Sequence, residues 1–254
     1  MTLKTRIIPA LLLKNGRCIK TQQFEGARDT GDPVTASKIY DAQGADELLF
    51  LDITASNEKR DILFNIIQRV AEQCFMPLTV GGGIRTTEDI RTLLKIGADK
   101  VAVCSEFVQR PEFIDEAVKI FGSSTIVGII TYHSVNGKNL VFIHGKETQT
   151  DREVISWAKE LEDRGVGEIF LYSIDRDGMM TGYDVELIRE LNQHIRVPLI
   201  VCGGCGKLSD FVDVVRETNV SAVSAASIFH FTDQNLIKTR WHMKNQGITV
   251  RSVF

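Results

Sequence analysis

The chain has 254 residues, 43% hydrophobic and 25% charged, with a formal net charge of −3 and a pI near 6.0. That balance offers no basic footprint for nucleic acid, no apolar stretch reaches bilayer length, and the opening Met1-Thr-Leu-Lys-Thr-Arg does not read as a signal peptide. Five cysteines, an odd number in a chain long enough to bury its own core, lead to the expectation of a reduced, cytoplasmic protein.

In chain order, short apolar runs predict strands at Arg6–Leu13, Glu47–Ile53, Met76–Val80, Lys100–Cys104, Thr125–Thr131, Glu168–Ser173, Pro198–Cys202 and Ser221–Ala225. Several are almost continuously hydrophobic, as strands buried on both faces of a parallel sheet must be. Between them, helical periodicity predicts helices at Glu58–Gln73, Thr87–Ile96, Pro111–Phe121, Arg152–Arg164 and Asp184–His194. Thr86-Thr-Glu-Asp suits a helix start, and Gly44, Gly97 and Gly165 stand where helices should end. Eight strands alternating with helices, without a linker-like segment, predict one closed (β/α)8 TIM barrel over residues 1–254, with a doubly wound open sheet as the alternative.

A short internal repeat points the same way. Asp46-Glu-Leu-Leu-Phe-Leu-Asp-Ile-Thr resembles Gly167-Glu-Ile-Phe-Leu-Tyr-Ser-Ile-Asp at a displacement of 121 positions, and Val80-Gly-Gly-Gly-Ile resembles Cys202-Gly-Gly-Cys-Gly at 122. Each half would be four strand–helix units, closing only as a pair.

In such a barrel, chemistry gathers at the C-terminal strand ends. Glycines follow the third strand (Gly81, Gly82, Gly83) and the seventh (Gly203, Gly204, Gly206), and Ser105 and Ser227 end the strands beside them. Glycine lets backbone N–H groups approach an anion, helix N-termini add to the attraction, and two related loops suggest a bis-phosphorylated ligand. Tight turns alone would also use glycines. The first and fifth strands end without a carboxylate, at Ala10-Leu-Leu-Leu-Lys and Gly128-Ile-Ile-Thr-Tyr-His. Asp52 is left as a proton acceptor or a loop-holding group, while Asp175-Arg-Asp-Gly reads as a loop held by its own ion pairs. At the opposite end, Arg6, Glu47, Lys100 and Glu168 head four apolar strands. Facing inward they would form a neutral ring, as a salt-bridged plug or as a gate for a small polar molecule.

Arg6-Ile-Ile-Pro, Gly31-Asp-Pro-Val, Asp46-Glu-Leu-Leu-Phe-Leu-Asp-Ile-Thr-Ala-Ser, Thr79-Val-Gly-Gly-Gly-Ile, Gly97-Ala-Asp-Lys-Val, Ser173-Ile-Asp-Arg-Asp-Gly and Phe229-His-Phe together resemble the cyclase subunit of imidazole glycerol phosphate synthase, essentially end to end. The resemblance implies a histidine-pathway barrel without a cofactor, receiving ammonia from a glutaminase subunit at its foot and using it on a bis-phosphate ribonucleotide at its mouth. It implies an ammonia gate at Arg6, Glu47, Lys100 and Glu168, a glutaminase contact at Asp99, and phosphate-loop roles for Gly83, Asp177, Gly178, Gly204 and Ser227, beside Ser105.

The two positions of the family's catalytic aspartates hold Leu12 and Thr131 here, Cys104 stands for a phosphate-loop asparagine, and Tyr172 for a small polar residue. Leucine transfers no proton, and a threonine hydroxyl is far from the pKa that such work needs. With Ile8-Pro-Ala-Leu-Leu-Leu-Lys and Cys74-Phe-Met-Pro, the pattern is similar to a divergent branch linked to surface-polysaccharide sugars. There a cyclase-like barrel works with a glutaminase-like subunit and a sugar amidotransferase to turn an N-acetyl group into an acetamidino group. Two other readings stay open: a cyclase whose acid/base has moved to Asp52 or His133, and a metal or thiol site at Cys104, Cys202 and Cys205.

Overall fold

A computed structural model describes residues 4–55 and 64–252. Its strands are β1 (Arg6–Lys14), β2 (Arg17–Gln22), β3 (Glu25–Gly31), β4 (Leu48–Asp52), β5 (Leu78–Gly81), β6 (Lys100–Val103), β7 (Ile126–Val135), β8 (Lys138–Ile143), β9 (Thr148–Glu153), β10 (Glu168–Ser173), β11 (Leu199–Cys202) and β12 (Ala222–Ala225). Parallel pairing runs β1-β4-β5-β6-β7-β10-β11-β12 and returns to β1, with Ile169 opposite Gly128 and Arg6 opposite Ala222. This is a closed, eight-stranded (β/α)8 barrel. The open-sheet alternative fails, because β7–β10 and β1–β12 leave no parallel edge.

Closure gives each barrel strand two apolar faces. On β1, Ile7, Leu11 and Leu13 meet the surrounding helices, whereas Ile8, Ala10 and Leu12 join Leu49, Ala102, Ile129 and Phe170 inside the barrel. The period of two in side-chain direction therefore fixes which residues the interior receives.

All eight predicted barrel strands are present, with ends shifted by a few residues. The predicted helices appear at Phe64–Ala71, Thr87–Lys95, Glu112–Phe121, Val154–Asp163 and Val185–Asn192. Residues 58–63 of the first, and Ser56 of the Leu51–Ser56 string, lie outside the described residues. Thr86 caps its helix reciprocally with Asp89, and Gly44, Gly97 and Gly165 follow helix ends at φ 71°, 113° and 90°.

Two hairpins depart from the predicted plan. β1 runs on through Asn15-Gly16 into β2, and β7 through Asn136-Gly137 into β8, each pair of turn residues at positive φ. Lys14 pairs with Arg17, and Val135 with Lys138, which leaves a two-residue turn of the type that Asn-Gly favours. β3 and β9 complete three-stranded extensions above the barrel.

One seam behind this extension carries a pH dependence. His230, on the helix Ser227–Phe231, packs edge-on against Tyr40 with ring centroids 6.4 Å apart. Burial, followed by the nearby Lys20 charge, lowers its pKa from 6.5 to about 4. The unfolded chain takes up this proton at about 6.5 and the folded chain only near 4, so His230 favours the fold fully above about 6.5 and progressively less as pH falls to 4. Urea midpoints measured across that window should fall with pH, and His230→Phe should make the decline shallower.

Candidate functional site

The foot of the barrel follows from strand direction. Arg6, Glu47, Lys100 and Glu168 share the inward parity of Ile8, Leu49, Ala102 and Phe170. Arg6 binds Glu47 at 2.9 Å and Glu168 at 3.0 Å; Lys100 binds the same two acids at 2.9 and 3.0 Å. The result is a closed ring of alternating sign in which every member has two partners. Thr79, inward on β5, donates from Oγ1 to Glu47 Oε1 at 2.6 Å. Glu47 is almost fully buried, while Arg6 and Lys100 keep 25% and 19% of their side-chain surface exposed, so the ring is reached from below. Asp99 stands beside it, exposed, with Oδ2 accepting from the Leu78 N–H at 2.8 Å. It borders a depression of about 240 Å³ lined also by Val70, Cys74, Met76 and the almost fully exposed Phe75.

At the mouth, a cavity of about 730 Å³ has Leu12, Leu51, Ile129, Thr131, Cys104 and Tyr172 in its wall. Thr131 donates to the Phe142 carbonyl at 2.5 Å and lies 3.7 Å from Cys104 Sγ. Its proton is committed to the backbone. Asp52 also reaches the cavity wall, but it shares the outward parity of Leu48 and Phe50, and Oδ1 accepts from the Thr54 and Ala55 N–H groups, both at 3.2 Å. That geometry serves the loop. His133 is tied through Nδ1 to Asp175.

The two glycine loops occupy equivalent positions. A Cβ on Gly82 would lie 2.0 Å from Asp52 O, and one on Gly203 would lie 2.8 Å from Ser173 O. Both glycines adopt positive φ, 98° and 102°, so no larger residue fits either place. Gly83 and Ser105 are half-buried on the cavity wall, and Ser105 Oγ accepts from the His144 N–H at 3.1 Å. Gly204 and Ser227 are buried. The helices after Cys104 and Ala226 span only Ser105–Gln109 and Ser227–Phe231, so the dipole contribution expected there is small.

Asp177 and Gly178 meet the β2–β3 hairpin instead of solvent. Asp177 is 1% exposed and accepts from Lys20 Nζ at 2.5 Å, Thr21 Oγ1 at 2.6 Å and Tyr172 Oη at 2.7 Å. Gly178 lies against Thr21, where a Cβ would approach the carbonyl oxygen to 2.4 Å. The Asp175–Gly178 loop is thus not held by its own ion pairs, as its sequence suggests. Asp175 pairs with His133 on β7 and Asp177 with Lys20 on β2, because both extensions lean across the mouth. Sequence reading passed over Lys20 entirely; the Asn15-Gly16 turn is the signal that would have put it above the mouth.

The three cysteines stay apart in chemistry. Burial pushes the Cys104 thiol up, Cys202 up to about 12 and Cys205 well above its usual range, so none is a thiolate near neutral pH. No group of three or more His, Cys, Asp or Glu side chains able to hold a metal occurs among the described residues.

A closed parallel barrel of eight strands, with glycine loops at its mouth and paired charges at its foot, defines the class of (β/α)8 barrel proteins. More particularly, the family model described as "Histidine biosynthesis protein" matches residues 6–235, and the chain belongs to that family. This agrees with the resemblance to the imidazole glycerol phosphate synthase cyclase. No helix among the described residues is long and apolar enough to cross a membrane.

The Lys20–Asp177 pair makes a direct prediction. Lys20→Met keeps the stem but leaves a buried carboxylate without its counter-charge, held by two hydroxyls and the Phe24 N–H at 3.4 Å, and should cost about 3 kcal/mol in urea denaturation. Lys20→Met combined with Asp177→Asn should recover much of that loss.

Proposed function

We propose that this barrel docks a class I glutaminase at its foot and passes the released ammonia through its interior, without closing an imidazole ring itself. In this reading it serves, with a sugar amidotransferase, the conversion of an N-acetyl to an acetamidino group on a surface-polysaccharide sugar. The observation that carries it is the contrast between the two ends. The foot keeps a complete ring, Arg6–Glu47–Lys100–Glu168, while the mouth has Leu12 and an internally bonded Thr131 at the family's two aspartate positions.

The interior between the ends suits this cargo. Its lining at Ala10, Ala102, Val127 and Ala222 is apolar, which admits neutral NH3 and opposes the ammonium ion by desolvation. A ring with two partners per charge can release one contact and keep the other, so it opens at less cost than an isolated buried pair. Asp99, next to Lys100 in the chain, and the exposed Phe75 border one depression, where a docking subunit would meet a charge and an aromatic anchor together.

The test is reconstitution. Glutamine hydrolysis by a class I glutaminase subunit encoded beside this chain should rise at least several-fold on mixing and fall back with Lys100→Met, while the histidine-pathway nucleotide is not turned over even in abundant ammonium salt. Unchanged hydrolysis on mixing would remove the reading.

A second reading is favoured by the place of Asp52 on the cavity wall: a cyclase with relocated acid/base chemistry. It requires imidazole product from the wild-type chain and its loss, by about a hundredfold or more, in Asp52→Asn.

A further inference from the structure

Charge is unevenly spread along this chain. All 33 Asp and Glu residues fall at or before Asp233, whereas Gln234 to Phe254 carries Lys238, Arg240, Lys244 and Arg251 without one acid. In a protein of net charge −3, that stretch has a sign of its own.

It folds as the helix Leu236–Asn245, held to the barrel by one side. Leu236, Thr239 and Met243 are fully buried. Arg240 donates to the Gln43 and Gly44 carbonyls at 3.4 and 2.6 Å, just past the end of the helix Pro33–Ala42. Ile237 and Trp241 follow Leu236 and Arg240 in the chain, so each is turned about 100° further round, onto the outer face. Trp241 is 68% exposed and Ile237 half-exposed. Ile39, also half-exposed, stands one turn before Gln43, whose N–H its carbonyl accepts at 3.1 Å. Three large apolar side chains therefore face outward where the two helices meet.

The surroundings of this patch are basic. Lys38 and Lys244, on the two helices, and Arg251 beyond them are exposed. The acids on or flanking the two helices are engaged: Asp233 pairs with Lys238 at 3.1 Å, and Asp41 accepts the Met76 N–H at 3.1 Å. An apolar centre with a cationic rim complements a bilayer of anionic headgroups. There lysine stems lie along the boundary, their ammonium groups reach the lipid phosphates, and Trp sits at headgroup level. A protein partner needs a larger, closely fitted area than three side chains on a convex helix offer, whereas lipid conforms to them. The helix is already folded and fixed, so contact costs little ordering.

We infer that Ile39, Ile237 and Trp241, with Lys38, Lys244 and Arg251 around them, form a peripheral contact for an anionic lipid surface. It stands independently of what the foot and the mouth do.

Vesicle co-sedimentation and tryptophan emission on the full chain test it, with phosphatidylglycerol and phosphatidylcholine vesicles as probes. Trp157, the other tryptophan, is 1% exposed beneath Arg152, so a change in emission reports Trp241. Emission is expected to move to shorter wavelength with phosphatidylglycerol and not with phosphatidylcholine, and binding to weaken by about tenfold or more in about 0.5 M salt. Lys38→Glu combined with Lys244→Glu should weaken binding by about tenfold or more, and Trp241→Ala by about fivefold. All three side chains are exposed, so the variants should melt with the wild type. Equal binding to both vesicles, binding to neither, or binding unchanged in both variants overturns the proposal. A shift given by polyglutamate and not by phosphatidylglycerol assigns the face to an acidic protein, and one that appears on concentrating the chain alone assigns it to a second copy. Either result overturns the lipid contact.

Discussion

Everything functional in this molecule depends on one constraint: in a closed barrel, each strand must send alternate side chains into a narrow interior that has no other source of contents. Arg6, Glu47, Lys100 and Glu168 enter that interior because they are in phase with Ile8, Leu49, Ala102 and Phe170. Four charges forced together at the foot are tolerable only in alternating sign, with two partners each. The same phase sends Leu12 and Thr131 into the mouth, where one has no proton to transfer and the other donates its proton to a carbonyl. Asp52 is out of phase and turns to its own loop.

A second interaction organises the mouth. Lys20 and Asp177 form a nearly fully buried pair, and Tyr172, Thr21 and the Phe24 N–H also donate to the carboxylate. An ion pair so deeply buried stabilises little by itself, yet it leaves one register in which the β2–β3 hairpin can sit. Tyr172 takes part in both consequences: it fills the interior beside Phe24 and Phe170, and it supplies a hydroxyl to Asp177. A small residue there would leave the hairpin without its aromatic seat. The hairpin packs over the Asp177 side of the mouth.

Much of this is legible in the sequence. Near-continuous apolar runs gave the eight barrel strands, since strands buried on both faces leave little place for polar residues. The foot ring was legible as four charged strand heads that would pair if they faced inward, although plug versus gate was not. The hairpins were missed even though both begin with Asn-Gly, the strongest short-range hairpin signal, because β2, β3 and β9 are too polar to stand out as strands. Lys20 and the fate of Asp177 were lost with them.

The sequence by itself determined the strand–helix order, the glycines at two equivalent turns, and the residue types at each strand end. Those follow from local chemistry: periodicity, φ requirements and side-chain pKa. Only the tertiary structure decided that the strand-head charges close into one ring and that Asp177 is buried beneath a hairpin. Those outcomes depend on residues far apart in the chain, such as Lys20 and Asp177 at a separation of 157, whose meeting is set by barrel closure and hairpin packing, not by any local preference.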